Sequence, residues 1–240
     1  MDKEFILDLQ NNGLVIIQKE SGFKFGTDAV LLSDYASSVK ADKILDLCTG
    51  NGIIPILLSA KTTASSITGI EIQHEIADTA KRSVSLNMLN SRVFIDEGDL
   101  RCNSYPINSF DMITCNPPYM KCGSAVMNQN DSRTIARHEV MCTIDDVTKV
   151  SAALLKNKGH LVMVHRPSRL SDVIFSMKSH HIEPKRLRMV HSSVTSPPSM
   201  FLIDGILNGG QELKIEPPLI LTNPDGSESE EYKKIYGRNN

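Results

Sequence analysis

The stretch Asp46-Leu47-Cys48-Thr49-Gly50-Asn51-Gly52 stands between an apolar run, Ile44 to Cys48, that reads as a strand and another, Ile53 to Ala60, that reads as a helix. Glycines at such a junction let the chain turn tightly and let a ligand approach the backbone closely. Gly-x-Gly alone is a common turn, so its meaning depends on the strands beyond it. Ile67 to Glu71 reads as the next strand, and Glu71 ends it roughly 20 residues on, where a carboxylate can accept both hydroxyls of a ribose. Val93 to Ile95 reads as a third strand, and the Gly98-Asp99 pair after it supplies an acceptor for an adenine amino group. Each feature taken singly is better read as a turn or a solvated acid. Three of them at the ends of three successive strands describe an adenosine pocket, because ligands of open α/β sheets gather at the carboxyl ends of strands. A nicotinamide dinucleotide is disfavoured, since Pro55 occupies the place of the third glycine in Gly-x-Gly-x-x-Gly.

Outward from that stretch, strands alternate with helices, which argues for a mainly parallel sheet covered on both faces. A helix starting near His74 carries Ile76, Ala77, Ala80, Val84 and Met88 on one side at helical spacing. Phe110 to Cys115 is another strand. Thr143 reads as the start of a helix through Ile144, Val147, Val150 and Leu154, with Gly159 as its stop signal. Leu161 to Val164 reads as a buried strand and Leu170, Val173, Ile174 and Met177 as one helix face. Two strands near Leu187 to Val190 and Phe201 to Ile206, separated by Ser196-Pro197-Pro198, read as an antiparallel pair. At the front, Asn11-Asn12-Gly13 between short apolar runs predicts a hairpin, and Thr27 a cap for a helix through Ala29 to Tyr35, with Asp28 near its positive end. After Leu221, Asn223-Pro224-Asp225-Gly226 and a run of Ser and Glu predict a turn and a loosely held end.

The chain has 240 residues, enough for a well-filled core, and 22% of them are charged. No apolar run approaches a membrane span, and Met1-Asp2-Lys3-Glu4 is no signal-peptide opening, so the cytosol is the expected location. The net charge of −2 means that any nucleic-acid partner must be met by a local basic patch. Cys48, Cys102, Cys115, Cys122 and Cys142 lack the close pairing of zinc sites and read as free buried thiols, with no metal expected.

Asn116-Pro117-Pro118-Tyr119 comes directly after the strand Phe110 to Cys115. Two prolines after a strand ordinarily just end it. Beside an adenosine pocket they suit a harder task, because an exocyclic amine on adenine has its lone pair delocalised into the ring and is a poor nucleophile. Two acceptors aimed at its N–H bonds favour pyramidal nitrogen and stabilise the positive charge that develops there. The side-chain carbonyl of Asn116 and the backbone carbonyl of Pro117 are the candidate acceptors. Proline stiffens the loop, and Tyr119 offers a face for stacking a flat substrate.

Asp46 to Gly52, Gly69-Ile70-Glu71, Gly98-Asp99 and Asn116 to Tyr119 resemble the ordered motifs of class I methyltransferases that modify amino groups. More finely, Phe25-Gly26-Thr27-Asp28-Ala29-Val30-Leu31-Leu32, Ala136-Arg137-His138-Glu139, Gly159 to Pro167 and Pro217-Pro218-Leu219-Ile220 resemble bacterial tRNA1(Val) adenine N6-methyltransferases, across nearly the whole chain. That likeness implies a Rossmann-like, seven-stranded, mostly parallel sheet with one antiparallel strand. It also implies S-adenosylmethionine as cofactor and, as target, the tRNA adenine just 3′ of the anticodon. By the same likeness Asp46, Gly50, Gly52, Glu71, Asp99 and Asn116 hold the cofactor, and Phe25, Thr27 and Asp28 close over its methionine end. Asn116, Pro117 and Tyr119 carry the reaction, while Pro118, Tyr119, Arg133 and Arg137 bind substrate. Residues 1–40 form a hairpin and helix within the same domain, 41–222 the methyltransferase domain and 223–240 a tail.

Glutamine methyltransferases of release factors share the Asn-Pro-Pro-Tyr loop, but carry a helical domain before the sheet, and only 43 residues precede Ile44 here. Guanine N2 methylation of ribosomal RNA and a non-catalytic RNA-binding module remain as alternatives. Two basic features bear on RNA: a long, poorly periodic segment from Met120 to Cys142, with Lys121, Arg133, Arg137 and His138, and the cluster Lys185, Arg186 and Arg188. The first reads as a substrate loop. The second reads as a solvated sheet face, with phosphate contact as the rival.

Overall fold

The computed structural model of the chain describes residues 3–9, 13–20, 26–117 and 142–238. It opens on a hairpin, β1 (Glu4–Asp8) paired antiparallel with β2 (Val15–Lys19), and then α1 (Thr27–Ser37). The first βαβ units are β3 (Lys43–Leu47), α2 (Ile53–Lys61), β4 (Ser66–Glu71), α3 (His74–Leu86) and β5 (Val93–Glu97). Next come β6 (Phe110–Cys115), α4 (Ile144–Leu154), β7 (Leu155–His165), α5 (Leu170–Ser179), β8 (Ile182–Ser193) and β9 (Pro198–Leu207).

Seven strands run in the order β8-β9-β7-β6-β3-β4-β5, and β9 alone is antiparallel to its neighbours. The two faces are written into the sequence as alternation. Ile44, Met112 and Val162 face a core shared with α1, α2 and α3, whereas their neighbours Leu45, Ile113 and Leu161 face one shared with α4 and α5. Each such side chain, fully buried, contributes about 1.5–3 kcal/mol. Two further strands extend the seven expected: β10 (Lys214–Ile215) and β11 (Leu219–Thr222) pair parallel with β8 and cover its outer edge.

Three local expectations need correction. Gly26, not Thr27, is the N-cap of α1, and Thr27 is its first residue, with Oγ1 3.5 Å from the Tyr232 hydroxyl. Gly159 does not end a helix: α4 stops at Leu154, the chain continues at once as β7, and Gly159 lies within that strand near a shift in register with β6. The tail is not loose after its turn, because α6 (Glu230–Ile235) buries Ile235 in the core shared with α1, and Lys61 ties the Ile235 carbonyl (3.0 Å) to Asp34 (2.8 Å). The start of α4 is as expected. Thr143 Oγ1 accepts from the Asp146 N–H at 3.1 Å, and the Asp146 carboxylate accepts from the Thr143 N–H at 2.8 Å.

Arg92 holds the end of α2. Its guanidinium donates to the carbonyls of Ala64 (2.6 Å), Ser59 (2.7 Å) and Thr62 (2.6 Å). Arg92→Ala strands those acceptors and is expected to lower unfolding free energy by about 1.5–3 kcal/mol, read as a fall in urea midpoint at constant m-value.

Candidate active site

Strand register brings the candidate residues together. Leu47 lies opposite Ile70 on one side and Cys115 on the other, so the next residues along, Cys48, Glu71 and Asn116, share one row at the carboxyl edge. The chain runs from β3 out to β4 and β5 and then returns to the other side of β3 for β6 and β7, leaving a crevice at the point of reversal.

The turn after β3 is shaped for close approach. Gly50 and Gly52 have φ of 57° and 83°, where a side chain is strained. The space above Gly50 is open, whereas a Cβ on Gly52 would lie 3.2 Å from the Ala80 methyl of α3. Glu71 fixes the turn from the side: Oε2 accepts from the Gly50 N–H and Oε1 from the Gln73 N–H, both at 3.0 Å. Asp99 is placed by β5 and is already engaged, its carboxylate accepting from Arg101 N (2.9 Å), Nε (2.9 and 3.0 Å) and Nη2 (2.6 Å). The Arg101 guanidinium holds that carboxyl below the usual range.

The polar atoms around this turn fit a cofactor with many hydrogen-bonding groups. Asp46 Oδ1 accepts from Thr114 Oγ1 at 2.6 Å. Asp46 Oδ2, Thr49 Oγ1 and both ends of the Asn51 amide are buried with no partner among the described residues. Native proteins seldom leave so many polar atoms unpaired in one place. Burial pushes the Asp46 carboxyl up to about 7, against the nearby hydroxyls of Thr114 and Thr49, and the Glu71 charge adds to the rise. The folded state therefore keeps a proton that the unfolded chain releases near 3.8, and stability from this group falls as pH rises from there to about 7. Asp46→Asn removes that fall. The variant should gain stability relative to the parent between pH 5 and pH 8 in denaturant titrations; a constant difference would show that Asp46 titrates normally.

On the other side of the crevice, Asn116 is half-buried and Pro117 buried. Asn116 Nδ2 donates to Asp28 Oδ2 of α1 at 3.1 Å, a contact that no sequence spacing announces. His165, at the end of β7, accepts at Nδ1 from the Arg166 N–H (2.8 Å), and burial, with the charges of Arg169 and Arg166, pulls it down to about 4, so it is neutral. Phe25, Pro118, Tyr119, Arg133 and Arg137 lie outside the described residues, as do Lys121, Cys122 and His138.

The remaining basic and thiol expectations change. Arg186 pairs with Asp204 (3.0 Å) and Glu216 (3.7 Å) and lies 4.5 Å over the Tyr35 ring, while Arg188 holds Glu231 by two bonds of 2.8 and 2.9 Å. Lys185 donates to the carbonyls of Gly210 and Gln211. These cations are paired with β9 and the segments beyond it, so the cluster is not a free, solvated face. Of the described thiols only Cys115 is buried; Cys102 is exposed, and Cys48 and Cys142 are half-buried with their sulfurs 3.3 Å apart. Among the described residues no acidic, His or Cys cluster suits a metal ion, and no helix is long and apolar enough to cross a membrane.

A sheet of this order, with its crevice at the β3/β6 reversal, has the class I methyltransferase fold. It matches a predicted O-methyltransferase from Agrobacterium tumefaciens with a TM-score of 0.72 and 21% identity, covering 88% of this chain and 97% of that one. It also matches the geranyl diphosphate C-methyltransferase from Streptomyces coelicolor A3(2), solved with S-adenosyl-L-homocysteine, with a TM-score of 0.56 and 13% identity over 75% of this chain and 79% of that one. Sequence is more specific. Residues 20–180 match the methyltransferase small domain. A tRNA1(Val) (adenine(37)-N6)-methyltransferase from Bacteroides thetaiotaomicron is 30% identical over 88% of each chain, and one from Porphyromonas gingivalis 28% identical over 78% of this chain and 76% of that one. The chain belongs to the methyltransferase small domain family and, within it, groups with the tRNA1(Val) (adenine(37)-N6)-methyltransferases.

Proposed function

We propose that this protein transfers a methyl group from S-adenosylmethionine to N6 of an adenine in tRNA, the adenine 3′ of the anticodon of valine tRNA. The observation that carries the reading is the row formed by the Gly50 turn, Glu71 and Asn116: an adenosine cradle on one side of the crevice and an amide that can accept from an amine on the other. The names of the relatives support the particular base. S-adenosylmethionine supplies a methyl group already activated on a sulfonium, so the protein's part is alignment and charge stabilisation.

In this reading Glu71 binds the ribose hydroxyls and Asp99 the adenine amino group of the cofactor, while Asp46, Gly50 and Gly52 line the cradle. Phe25 and Thr27 close over it. The Asn116 side-chain carbonyl and the Pro117 backbone carbonyl accept from the two N–H bonds of the target amine and bear the charge that grows on nitrogen. Pro118 and Tyr119 stack the extruded base, which leaves an anticodon loop at less cost than a duplex. Arg133 and Arg137 meet the RNA backbone, and the protein works in the cytoplasm, where tRNA is found. Residues 1–40 and 41–222 act as one domain. Charge reversal at Arg133 and Arg137 should raise KM for tRNA several-fold and leave cofactor affinity unchanged.

Nucleoside analysis of valine tRNA from a strain lacking the gene tests the reading. N6-methyladenosine at position 37 should disappear and return on complementation. Its persistence would overturn the assignment.

A further inference from the structure

Asp28 and Asn116 are 88 positions apart in the chain, and among the described residues the Asp28 carboxylate joins the first turn of α1 to Asn116. Oδ1 accepts from the Ala29 N–H at 3.0 Å in the first turn of α1, and Oδ2 accepts from Asn116 Nδ2 at 3.1 Å. A carboxylate only accepts, so the end of the Asn116 amide that faces it must be the NH2 group. The opposite end of the same planar amide is then the carbonyl oxygen. An amide turned over by half a rotation fills the same volume but presents donors where the acceptor was. Packing cannot distinguish the two orientations, whereas hydrogen bonding to an obligate acceptor can.

We propose that Asp28 is a positioning residue for Asn116: its carboxylate selects the amide orientation that presents an acceptor to the target amine, and its charge polarises that amide and strengthens the acceptor. The inference rests on the reading of Asn116 as the amine acceptor. It differs from both roles that the sequence suggests for Asp28, a charge favouring the α1 N-terminus and a wall over the cofactor.

The isosteric substitution separates these roles. In Asp28→Asn the oxygen that accepts from Ala29 must remain an oxygen, so the other end of the new amide is NH2. Two NH2 groups would then meet, and the Asn116 amide turns over to relieve the clash. Asp28→Ala removes the Asp28 contact without creating that clash. Single-turnover methyl transfer to unmodified valine tRNA should therefore fall on the order of 30–100-fold in Asp28→Asn and only about tenfold in Asp28→Ala, neither exceeding the roughly 10²–10³-fold lost with one preorganised transition-state hydrogen bond. Calorimetric Kd values for S-adenosylmethionine and for the tRNA should stay within about threefold, and Asp28→Asn added to Asn116→Ala should slow the reaction by less than about twofold further.

A helix-capping role predicts the opposite order, with the isosteric variant the milder, and a cofactor-wall role predicts lost affinity at a retained rate. Either pattern, or additive effects in the double variant, overturns the proposal. The Asn116 side-chain amide resonances, assigned by nitrogen-15 NMR, test the contact without any substrate. They should be slow to exchange in the parent and fast in Asp28→Ala, and equal exchange in both also overturns it. If the parent methylates no tRNA yet the resonances respond, the functional reading has failed and the contact stands.

Discussion

Asn116→Ala is expected to lower kcat for methyl transfer on the order of 10²–10³-fold, by analogy with loss of one preorganised transition-state hydrogen bond. Asn116 comes directly after β6, in one row with Glu71 and the Gly50 turn, and its amide is held from α1 by Asp28. The acceptor matters little before reaction, when the amine is neutral and planar, and most when nitrogen pyramidalises and gains charge. Removing it therefore strikes rate more than binding. Single-turnover transfer to unmodified valine tRNA, run beside a cofactor titration on the same variant, reads both quantities. A rate within a few-fold of the parent, or a collapse of cofactor affinity along with rate, would remove Asn116 from the role of amine acceptor.

Glu71→Ala should weaken S-adenosylmethionine binding by about 1.5–3 kcal/mol, the range for hydrogen bonds to a charged group, which is roughly ten- to 150-fold in Kd. The structure sharpens the expectation, because Glu71 also accepts from the N–H groups of Gly50 and Gln73. The alanine variant frees the turn as well as removing the ribose contact. Glu71→Gln keeps an oxygen acceptor and should fall between variant and parent. Calorimetry that gives the alanine variant the parent's affinity would count against Glu71 at the ribose.

The strands that build the crevice were legible because each is a short apolar run closed by a turn signal, and Phe110 to Cys115 has the observed bounds of β6. Parallel order came from alternation with helices, and the cradle from three polar positions at successive strand ends. What the sequence concealed is of two kinds. Short elements carry no periodicity: β10 has two residues, and α6 buries only Ile235 of its six, so a polar tail concealed a docked helix. Contacts between distant positions leave no spacing to read. Asp28 with Asn116, Arg188 with Glu231, and Arg92 with three carbonyls at and beyond the end of α2 all join separate parts of the chain. Lys185, Arg186 and Arg188 looked free because the residues that bind them come later in the chain.

The measurement that bears most directly on the central claim is transfer of tritiated methyl by the purified protein to two valine tRNA transcripts, one natural in sequence and one with guanine in place of adenine 37. Label should enter the first transcript alone and be recovered after digestion as N6-methyladenosine. Equal labelling of both transcripts, or labelling of a release factor or ribosomal RNA with none in tRNA, would contradict it.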